Sequence, residues 1–322
     1  MDRAITLQNE LESMLTDESA EPKRIALSLL EIITNGFSDD EIIGNGGFAR
    51  VYKGMLRNGM IAVKKLLVTI DIDENKFIEE VRCLMNAKHK NIVRFLGYCS
   101  ESQGEMLNFN GKLVLADLWQ RVLCFEYISE GSLEKKINDA SCGLEWSKRY
   151  EIINGICDGL YYLHQNRIVH LDLKPANILL DRNMMPKIAD FGLSRRLCEG
   201  QSKIITSNFT GTMGYIAPEY WCGQIALKCD LYSLGIIIIE ILTGAKGCPN
   251  IDDVLNSWRN RLEKTERETQ LVQLRACAEI AIECTAYNPA ERPDIVRIID
   301  RLRATKSTEE SAASSHKGQE SL

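Results

Sequence analysis

The spacing of apolar residues changes along the chain and predicts different secondary structure in its parts. In the first third, residues 50–52 and 60–67 have the composition of β-strands. Arg57-Asn58-Gly59 lies between them, and Asn-Gly supplies the positive φ angles that a tight hairpin needs. The first third is therefore predicted to be rich in strands.

Beyond residue 131 the apolar residues recur every three or four positions, which is typical of amphipathic or buried helices. Helices are predicted at residues 144–165, 227–242, 271–285 and 295–303. No repeat of fixed period is present, which excludes solenoids and propellers. The pattern favours an α+β fold in which a small β-rich lobe precedes a larger helical lobe.

The two ends differ in composition from the middle of the chain. Residues 1–36 combine helix-spaced Leu and Ile with many acids, and residues 304–322 are mostly Ser, Glu and Lys. We expect an acidic helical extension, a compact domain over 37–303 with lobes 37–127 and 128–303, and a disordered polar tail. The sequence leaves open whether the extension folds onto the domain or tethers it.

Net charge and cysteine content exclude some classes of function. A formal net charge of -6 argues against nucleic-acid binding and favours a basic partner or substrate. The 11 cysteines form no C-x-x-C pair, so we expect reduced thiols. The start has no secretory signal, and the most apolar stretch, 231–242, is too short for a membrane span. These features predict a cytoplasmic protein without a transmembrane segment.

The segment 44–51 is rich in glycine, which allows a backbone to approach phosphate oxygens closely. A dinucleotide-binding turn would open a helix and carry an acid about twenty residues later, but here a strand follows and Lys64 stands at that distance. An ammonium beside such a loop can hold nucleotide phosphates, and it needs a carboxylate to fix it. Glu80 is the better candidate for that carboxylate, and Glu79 is the alternative.

The most specific signal is His170-Leu171-Asp172-Leu173-Lys174-Pro175-Ala176-Asn177, followed by Asp190-Phe191-Gly192 and Ala217-Pro218-Glu219. In this order and spacing these segments resemble the protein kinase family over roughly residues 37–303. The resemblance implies a bilobal fold and transfer of phosphate from ATP. Asp172 would orient or deprotonate the acceptor hydroxyl, and Lys174 would steady the transferring group.

The resemblance also assigns the remaining site residues. Asn177 and Asp190 would hold the metal, with two Mg²⁺ ions expected. ATP would contact Ile43, Gly44, Gly46, Gly47, Val51, Ala62, Lys64, Glu80, Glu126, Ile128 and Leu179. Structural roles fall to His170, which would stack on Phe191, to Asp230, which would anchor the catalytic loop, and to Arg292, which would pair with Glu219.

Further motifs are similar to one branch of this family. Asp172-Leu173-Lys174-Pro175 and Gly211-Thr212-Met213-Gly214-Tyr215 resemble serine/threonine kinases, and Gly97-Tyr98-Cys99 resembles plant receptor-like kinases and their cytoplasmic relatives. The resemblance implies protein substrates and an upstream receptor kinase. It leaves open recruitment to the inner face of the plasma membrane.

Two features depart from the family pattern. Leu171 replaces the arginine that pairs with a phosphate on the activation loop, as in the non-RD subgroup. The candidate phosphorylation sites Thr206, Ser207, Thr210 and Thr212 therefore lack that partner. Residues 100–121 are an insertion, expected to be a partner-binding loop or tolerated extra length.

Two other function classes are weighed against an active protein kinase. Leu171 and the insertion would suit a kinase-fold scaffold that binds ATP and partners, although the complete catalytic set speaks against it. A small-molecule phosphotransferase is disfavoured, because residues 211–219 match the segment that holds a protein substrate.

Overall fold

We describe the fold from a computed structural model of the chain, which describes residues 2–67, 74–138, 143–207, 210–247, 249–262 and 264–305. The structure divides into two compact units. The first contains Met1–Lys88 and Val93–Ile128, and the second contains His89–Ile92 and the residues from Ser129 onward. The predicted polar tail lies largely outside the described residues, which end at Thr305.

The first unit is built on a six-stranded sheet with the strand order β1-β5-β6-β4-β3-β2. Its elements, in chain order, are α1 (Asp2–Thr16), β1 (Lys23–Arg24), α2 (Leu27–Ile33), β2 (Ile42–Asn45), β3 (Ala49–Leu56), β4 (Gly59–Leu66), α3 (Glu74–Met85), β5 (Phe95–Phe109) and β6 (Lys112–Glu126). A 3-10 turn at Asp39–Glu41 precedes β2. The predicted hairpin is confirmed, since β3 and β4 pair antiparallel with Leu56 opposite Gly59.

The N-terminal segment packs onto this sheet, which answers the question that the sequence left open. Apolar side chains of α1 and α2 share one core with the sheet. This core includes Leu11 and Met14 of α1, Leu30 of α2, and Ile61 and Val63 of β4. Burial of this apolar surface stabilises the two short helices, which would be only marginally stable if they were isolated in water. Helices α1 and α2 of the predicted extension therefore belong to the first unit together with α3.

Strand β1 extends the sheet by pairing in parallel with β5, with Lys23 opposite Gly97. Gly97 has φ +154, and a β-carbon there would lie 2.0 Å from the carbonyl oxygen of Lys23. Only glycine permits this approach of the two backbones. Gly97 of the Gly97-Tyr98-Cys99 motif thus docks the N-terminal segment.

The insertion at 100–121 is a β-ribbon that lengthens β5 and β6. Strands β5 and β6 stay in register from Gly97↔Cys124 to Phe109↔Lys112. Asn110 (φ 52) and Gly111 (φ 78) form the turn at its tip. Both residues have the left-handed geometry of the two-residue turns that match strand twist, so local chemistry closes the ribbon.

The second unit is mainly helical, and the predicted fold class, α+β, is confirmed. Its helices are α4 (Leu133–Asn138), α5 (Trp146–Gln165), α6 (Pro218–Trp221), α7 (Leu227–Thr243), α8 (Ile251–Arg259), α9 (Arg267–Cys284) and α10 (residues 295–305). Its short strands pair two by two: β7 (Ile168–Val169) with β10 (Arg195–Arg196), β8 (Ile178–Leu180) with β9 (Pro186–Ile188), and β11 (Ile204–Ile205) with β12 (Gln224–Ile225). The four predicted helices are confirmed, with ends that differ by a few residues.

Helix α7 is apolar on most of its surface and lies in the core of the second unit, as its composition predicts. Among the described helices, none combines the length and the apolar character needed to cross a bilayer. All the cysteines in the described ranges are free thiols, and seven of them are buried, whereas Cys198 and Cys222 are exposed.

Candidate active site

In the first unit, Lys64 and Glu80 form a close ion pair. The Nζ atom of Lys64 lies 2.7 Å from Oε1 of Glu80, and both side chains are largely buried. Glu79 faces away and pairs with Arg82 on the exposed side of α3. A buried pair of this kind holds its ammonium in a fixed place, so Glu80 and not Glu79 positions Lys64.

The glycine-rich segment forms the turn between β2 and β3. The amide of Gly46 donates to the carbonyl of Ala49 at 2.9 Å, which closes the turn. A β-carbon at Gly47 would meet no described atom within 4 Å, and neither Gly46 nor Gly47 has a positive φ. Neither backbone strain nor crowding within the protein requires glycine at position 47, but a phosphate drawn close to the backbone would.

The other predicted nucleotide contacts of the first unit follow the same strands. Ile43 and Gly44 lie on β2, Val51 stands opposite Lys64 in the β3–β4 pairing, and Ala62 lies on β4 opposite Phe125. Glu126 ends β6, where its carboxylate accepts from the Arg94 amide at 2.8 Å. Ile128 follows it, and Leu179 lies on β8 of the second unit.

In the second unit, Asp230 anchors the segment 170–177. Its fully buried carboxylate accepts hydrogen bonds from the backbone amides of His170 at 2.8 Å and Leu171 at 2.9 Å. It also contacts Nε2 of His164 at 3.2 Å. Leu171 has φ 67, a conformation that costs energy for a bulky residue and persists only where neighbours hold it. Asp230 supplies that restraint from α7.

Asp172 lies at the centre of a compact polar cluster. Its Oδ2 atom accepts from Nζ of Lys174 at 2.8 Å and from Nδ2 of Asn177 at 3.0 Å. Its Oδ1 atom accepts from the Thr212 hydroxyl at 2.7 Å. Lys174 also donates to that hydroxyl at 2.7 Å, so three residues predicted as catalytic meet at one carboxylate together with a threonine from further along the chain.

His170 supports this segment as a structural residue. Its ring lies edge-on to Phe191 with centroids 5.0 Å apart. Nδ1 accepts from the Asp172 amide at 3.3 Å, and Nε2 lies 3.1 Å from the carbonyl of Ala189. This pattern suits a neutral imidazole that carries its proton on Nε2 and fixes Asp172 relative to the residue before Asp190.

The donor set around Asn177 and Asp190 fits a hard divalent cation. The Nδ2 atom of Asn177 is held by Asp172, which leaves the amide oxygen as the atom presented to a ligand. Asp190, with φ 65, contributes a carboxylate. Mg²⁺ prefers oxygen ligands and uses few protein carboxylates, so an amide oxygen and a carboxylate are donors of the type it takes. No cluster of three or more His, Cys, Asp or Glu in the described ranges offers another metal site.

Leu171 is buried in an apolar cluster and does not face a cation partner. Its neighbours in that cluster include Leu197, Ile225 and Cys229, with Ile204 and Ile216 packed against it. Arg167 donates hydrogen bonds to the carbonyls of Leu197, Cys198 and Gln201, and these bonds hold the segment that follows β10. Apolar packing and backbone contacts therefore hold this segment where the usual arginine is absent.

The candidate phosphorylation sites lie in different surroundings. The amide of Thr206 pairs with the carbonyl of Gly223 at 2.8 Å, whereas Ser207 and Thr210 are exposed. The Thr212 hydroxyl is hydrogen-bonded to Asp172 and Lys174, so a phosphate there would bring negative charge against the Asp172 carboxylate. Glu219 forms two hydrogen bonds to Arg292, of 2.7 and 2.8 Å, and the arginine side chain is fully buried.

Two residues make contacts that the sequence did not predict. Thr212 is predicted as a phosphorylation site, although the Gly-Thr-x-Gly-Tyr run could have indicated its contact with Asp172. Glu240 gave no signal of its own: its carboxylate accepts the Tyr215 hydroxyl at 2.8 and 3.0 Å. Burial raises the pKa of Glu240 above its ordinary value.

Comparison with known proteins agrees with this geometry. Residues 37–302 match the family described as "Protein kinase domain". Cysteine-rich receptor-like protein kinase 44 of Arabidopsis thaliana is 36% identical over 304 residues, which cover 87% of this chain and 76% of that protein. Cysteine-rich receptor-like protein kinase 34 of Arabidopsis thaliana is 36% identical over 92% of this chain and 46% of its own length.

A G-type lectin S-receptor-like serine/threonine-protein kinase of Arabidopsis thaliana is 34% identical over 88% of this chain. The match covers 36% of that relative, so the chain spans less than half the length of two of these three proteins. The family match covers most of the chain. The chain therefore belongs to the protein kinase family.

Proposed function

We propose that this chain transfers the γ-phosphate of ATP to serine or threonine hydroxyls of protein substrates. One observation carries the proposal: Asp172, Lys174, Asn177 and Thr212 form a closed hydrogen-bonded cluster around one carboxylate. Two of the similar proteins described above are named as receptor-like protein kinases, and the name of the third specifies a serine/threonine-protein kinase.

In the proposed reaction, Asp172 accepts the hydrogen bond of the incoming hydroxyl and orients it toward the γ-phosphorus. A bond forms between the substrate oxygen and phosphorus, the bond from phosphorus to the bridging oxygen breaks, and ADP leaves. The hydroxyl proton passes to Asp172 and then to solvent. Lys174 already touches Asp172 and can place its ammonium against the charge on the transferring group.

Nucleotide and metal binding follow from the two sets of residues. The backbone of Gly46 and Gly47 and the ammonium of Lys64 would hold the phosphates. Asn177 and Asp190 would hold Mg²⁺, with two ions proposed, and the metal when bound would neutralise charge on the phosphate oxygens. Lys64 depends on Glu80 for its place, so both residues belong to the nucleotide site.

The proposal also covers the cellular location of the chain and its regulation by phosphorylation. We place the chain in the cytoplasm, in intracellular signalling downstream of a receptor kinase, because its relatives are receptor-like kinases. Thr206, Ser207 and Thr210 stay proposed phosphorylation sites. Since Leu171 is buried among apolar side chains, phosphorylation of these residues would act through docking and not through pairing with residue 171.

The test is transfer of radiolabelled phosphate from ATP, with Mg²⁺, to the purified chain and to a generic basic protein. We expect wild type to label the acceptor and Asp172→Asn to lose at least about a hundredfold in rate. Asp252→Asn is the matched control, since that aspartate is an exposed residue of α8. Acid hydrolysis of the product should release phosphoserine or phosphothreonine.

Two outcomes would count against the proposal. Phosphotyrosine as the main product would contradict the assigned specificity. Equal and negligible transfer by wild type and Asp172→Asn, together with binding of a fluorescent ATP analogue, would indicate a scaffold that binds nucleotide without catalysis.

A further inference from the structure

A pocket of about 270 Å³ lies in the second unit, outside the polar cluster around Asp172. It is lined by Glu134 and Ile137 of α4, by Tyr215, by Glu240 of α7 and by residues 244–246, which follow α7. Two of these side chains are carboxylates, and Lys246 is a cation. None of the lining residues has a role in the proposed reaction.

One turn of the chain joins this pocket to the Asp172 carboxylate. The carbonyl of Thr212, whose hydroxyl contacts Asp172, accepts the Tyr215 amide at 3.1 Å, so residues 212–215 form a β-turn. The ends of such a turn lie within about 7 Å of each other. An extended peptide rises about 3.3 Å per residue, so a substrate whose hydroxyl meets Asp172 can place a side chain a few positions away in the pocket.

Glu240 forms an acidic wall of the pocket. Its side chain is only 12% exposed, and its carboxylate accepts the Tyr215 hydroxyl at 2.8 and 3.0 Å. Burial raises the pKa of Glu240, and the negative charge of Glu134 acts in the same direction. A carboxylate beside an aromatic ring suits a guanidinium or an ammonium, because the face of the ring also attracts a cation.

The chain supplies a cation at this place from its own sequence. The Nζ atom of Lys246 lies 3.8 Å from Oε1 of Glu240 and 4.0 Å from the centre of the Tyr215 ring. The lysine side chain runs along Gly214, where a β-carbon would lie 3.3 Å from both Cδ and Nζ. Lys246 therefore covers the carboxylate and the ring that a substrate cation would use.

The end of α7 brings Lys246 to this position. Gly244 has φ 76, the left-handed conformation that ends a helix and redirects the chain. The Thr243 hydroxyl accepts from the Ala245 amide at 3.1 Å, which fixes the residue just before the lysine. The Lys246 side chain is 47% exposed, so its ion pair stabilises the fold little and its main effect is to occupy the pocket.

We propose that Lys246 is a specificity-determining residue, which occupies the cation position of this pocket and removes selection for arginine or lysine near the acceptor residue of the substrate. The inference rests on the proposed function. Without Lys246, the carboxylates of Glu240 and Glu134 would face the pocket unopposed. A substrate arginine would then pair with them and stack on the Tyr215 ring.

The test uses a set of peptides of about eleven residues, each with a central serine and one arginine among Ala and Gly. The arginine is moved in turn through every position before and after the serine. All members have the same composition and charge, so long-range attraction to the acidic chain is equal. In phosphate transfer from ATP with Mg²⁺, wild type should label all members within about threefold, and Lys246→Ala should favour one or two positions more than about tenfold.

Three variants control the result. Lys246→Arg keeps a cation in the pocket and should match wild type. Lys246→Ala with Glu240→Gln should lose the positional preference but keep an acceptor for the Tyr215 hydroxyl. Lys148→Ala removes a lysine from an ion pair with Glu151 on α5, and this matched control should leave the profile unchanged. Thermal unfolding checks that each variant keeps its fold.

The same flat profile for wild type and Lys246→Ala would overturn the proposal. A wild-type preference for one position that Glu240→Gln removes would also overturn it, because the pocket would then select a basic residue in the presence of Lys246.

Binding of the peptides, labelled with fluorescein and measured by fluorescence anisotropy, separates these outcomes from failure of the proposed function. If the chain transfers no phosphate but Lys246→Ala binds with a positional preference that wild type lacks, the proposed function is refuted and the role of Lys246 stands. Absence of transfer together with equal binding of all peptides by Lys246→Ala would overturn both.

Discussion

Removal of the Glu219 carboxylate should strongly destabilise the second unit. Arg292 is fully buried, and its guanidinium makes two hydrogen bonds to Glu219, of 2.7 and 2.8 Å. It also donates to the carbonyls of Ala286 at 2.9 Å, Lys228 at 2.8 Å and Tyr287 at 3.3 Å. In Glu219→Ala, the arginine would keep only these neutral partners.

The magnitude follows from the uncompensated charge. Breaking a buried ion pair by removing one partner costs about 3–5 kcal/mol, because the other charge stays out of water. Arg292→Leu should cost at least as much, since it leaves the Glu219 carboxylate unpaired and three carbonyls without their donor. The double variant should lose at least about 2 kcal/mol less than the sum of the single losses.

The assay is urea unfolding followed by tryptophan fluorescence, since Trp146, Trp221 and Trp258 all lie in the second unit. Glu279→Ala is the matched control. Glu279 pairs with Arg301 at 3.3 Å, but it is 42% exposed, so its loss should cost less than about 1 kcal/mol. Equal losses for Glu219→Ala and Glu279→Ala, or additive losses in the double variant, would refute the reasoning.

Three further predictions test other parts of the structure. Thr212→Val should lower kcat about 10- to 100-fold in the phosphate-transfer assay, because it removes hydrogen bonds to two charged groups, whereas Thr212→Ser should retain most of the activity. Gly97→Ala should release β1 and expose the N-terminal segment to limited proteolysis, whereas Gly143→Ala, where a β-carbon meets no described atom within 4 Å, should not. Burial lowers the pKa of His89, so the folded state favours the neutral ring and stability should fall as pH drops below about 6.5. His89→Phe should make urea unfolding less dependent on pH between 7.5 and 5, and an unchanged dependence would exclude His89 as the cause.

The order and chemistry of the motifs were readable from the sequence alone. The resemblance of the motifs to the protein kinase family picked out Lys64, Asp172, Asn177 and Asp190, because phosphoryl transfer requires side chains of these types in a recurring order. The β3–β4 hairpin and the four long helices of the second unit were also predictable, because their signals are local. A turn residue or a period of three to four positions acts within a few neighbours.

The tertiary structure alone decided which distant residues meet. Glu79 and Glu80 are alike in sequence, and only the face of α3 that meets β4 assigns Glu80 to Lys64. Thr212 reaches Asp172 across forty positions. The docking of β1 against Gly97 and the extended β5–β6 ribbon likewise depend on which strand lies beside which.

The physical reason is the range of the interactions. A helix period or a tight turn is fixed by the backbone geometry of consecutive residues, so the sequence determined the elements and the chemical inventory of this protein. Strand pairing and buried ion pairs stabilise the fold only after residues that are far apart in sequence have come together. Many such pairings are compatible with the same local pattern, and each has its own cost in loop-closure entropy. The register of the ribbon, the docking of the N-terminal segment and the partner of each charged group were therefore decided by the packed structure.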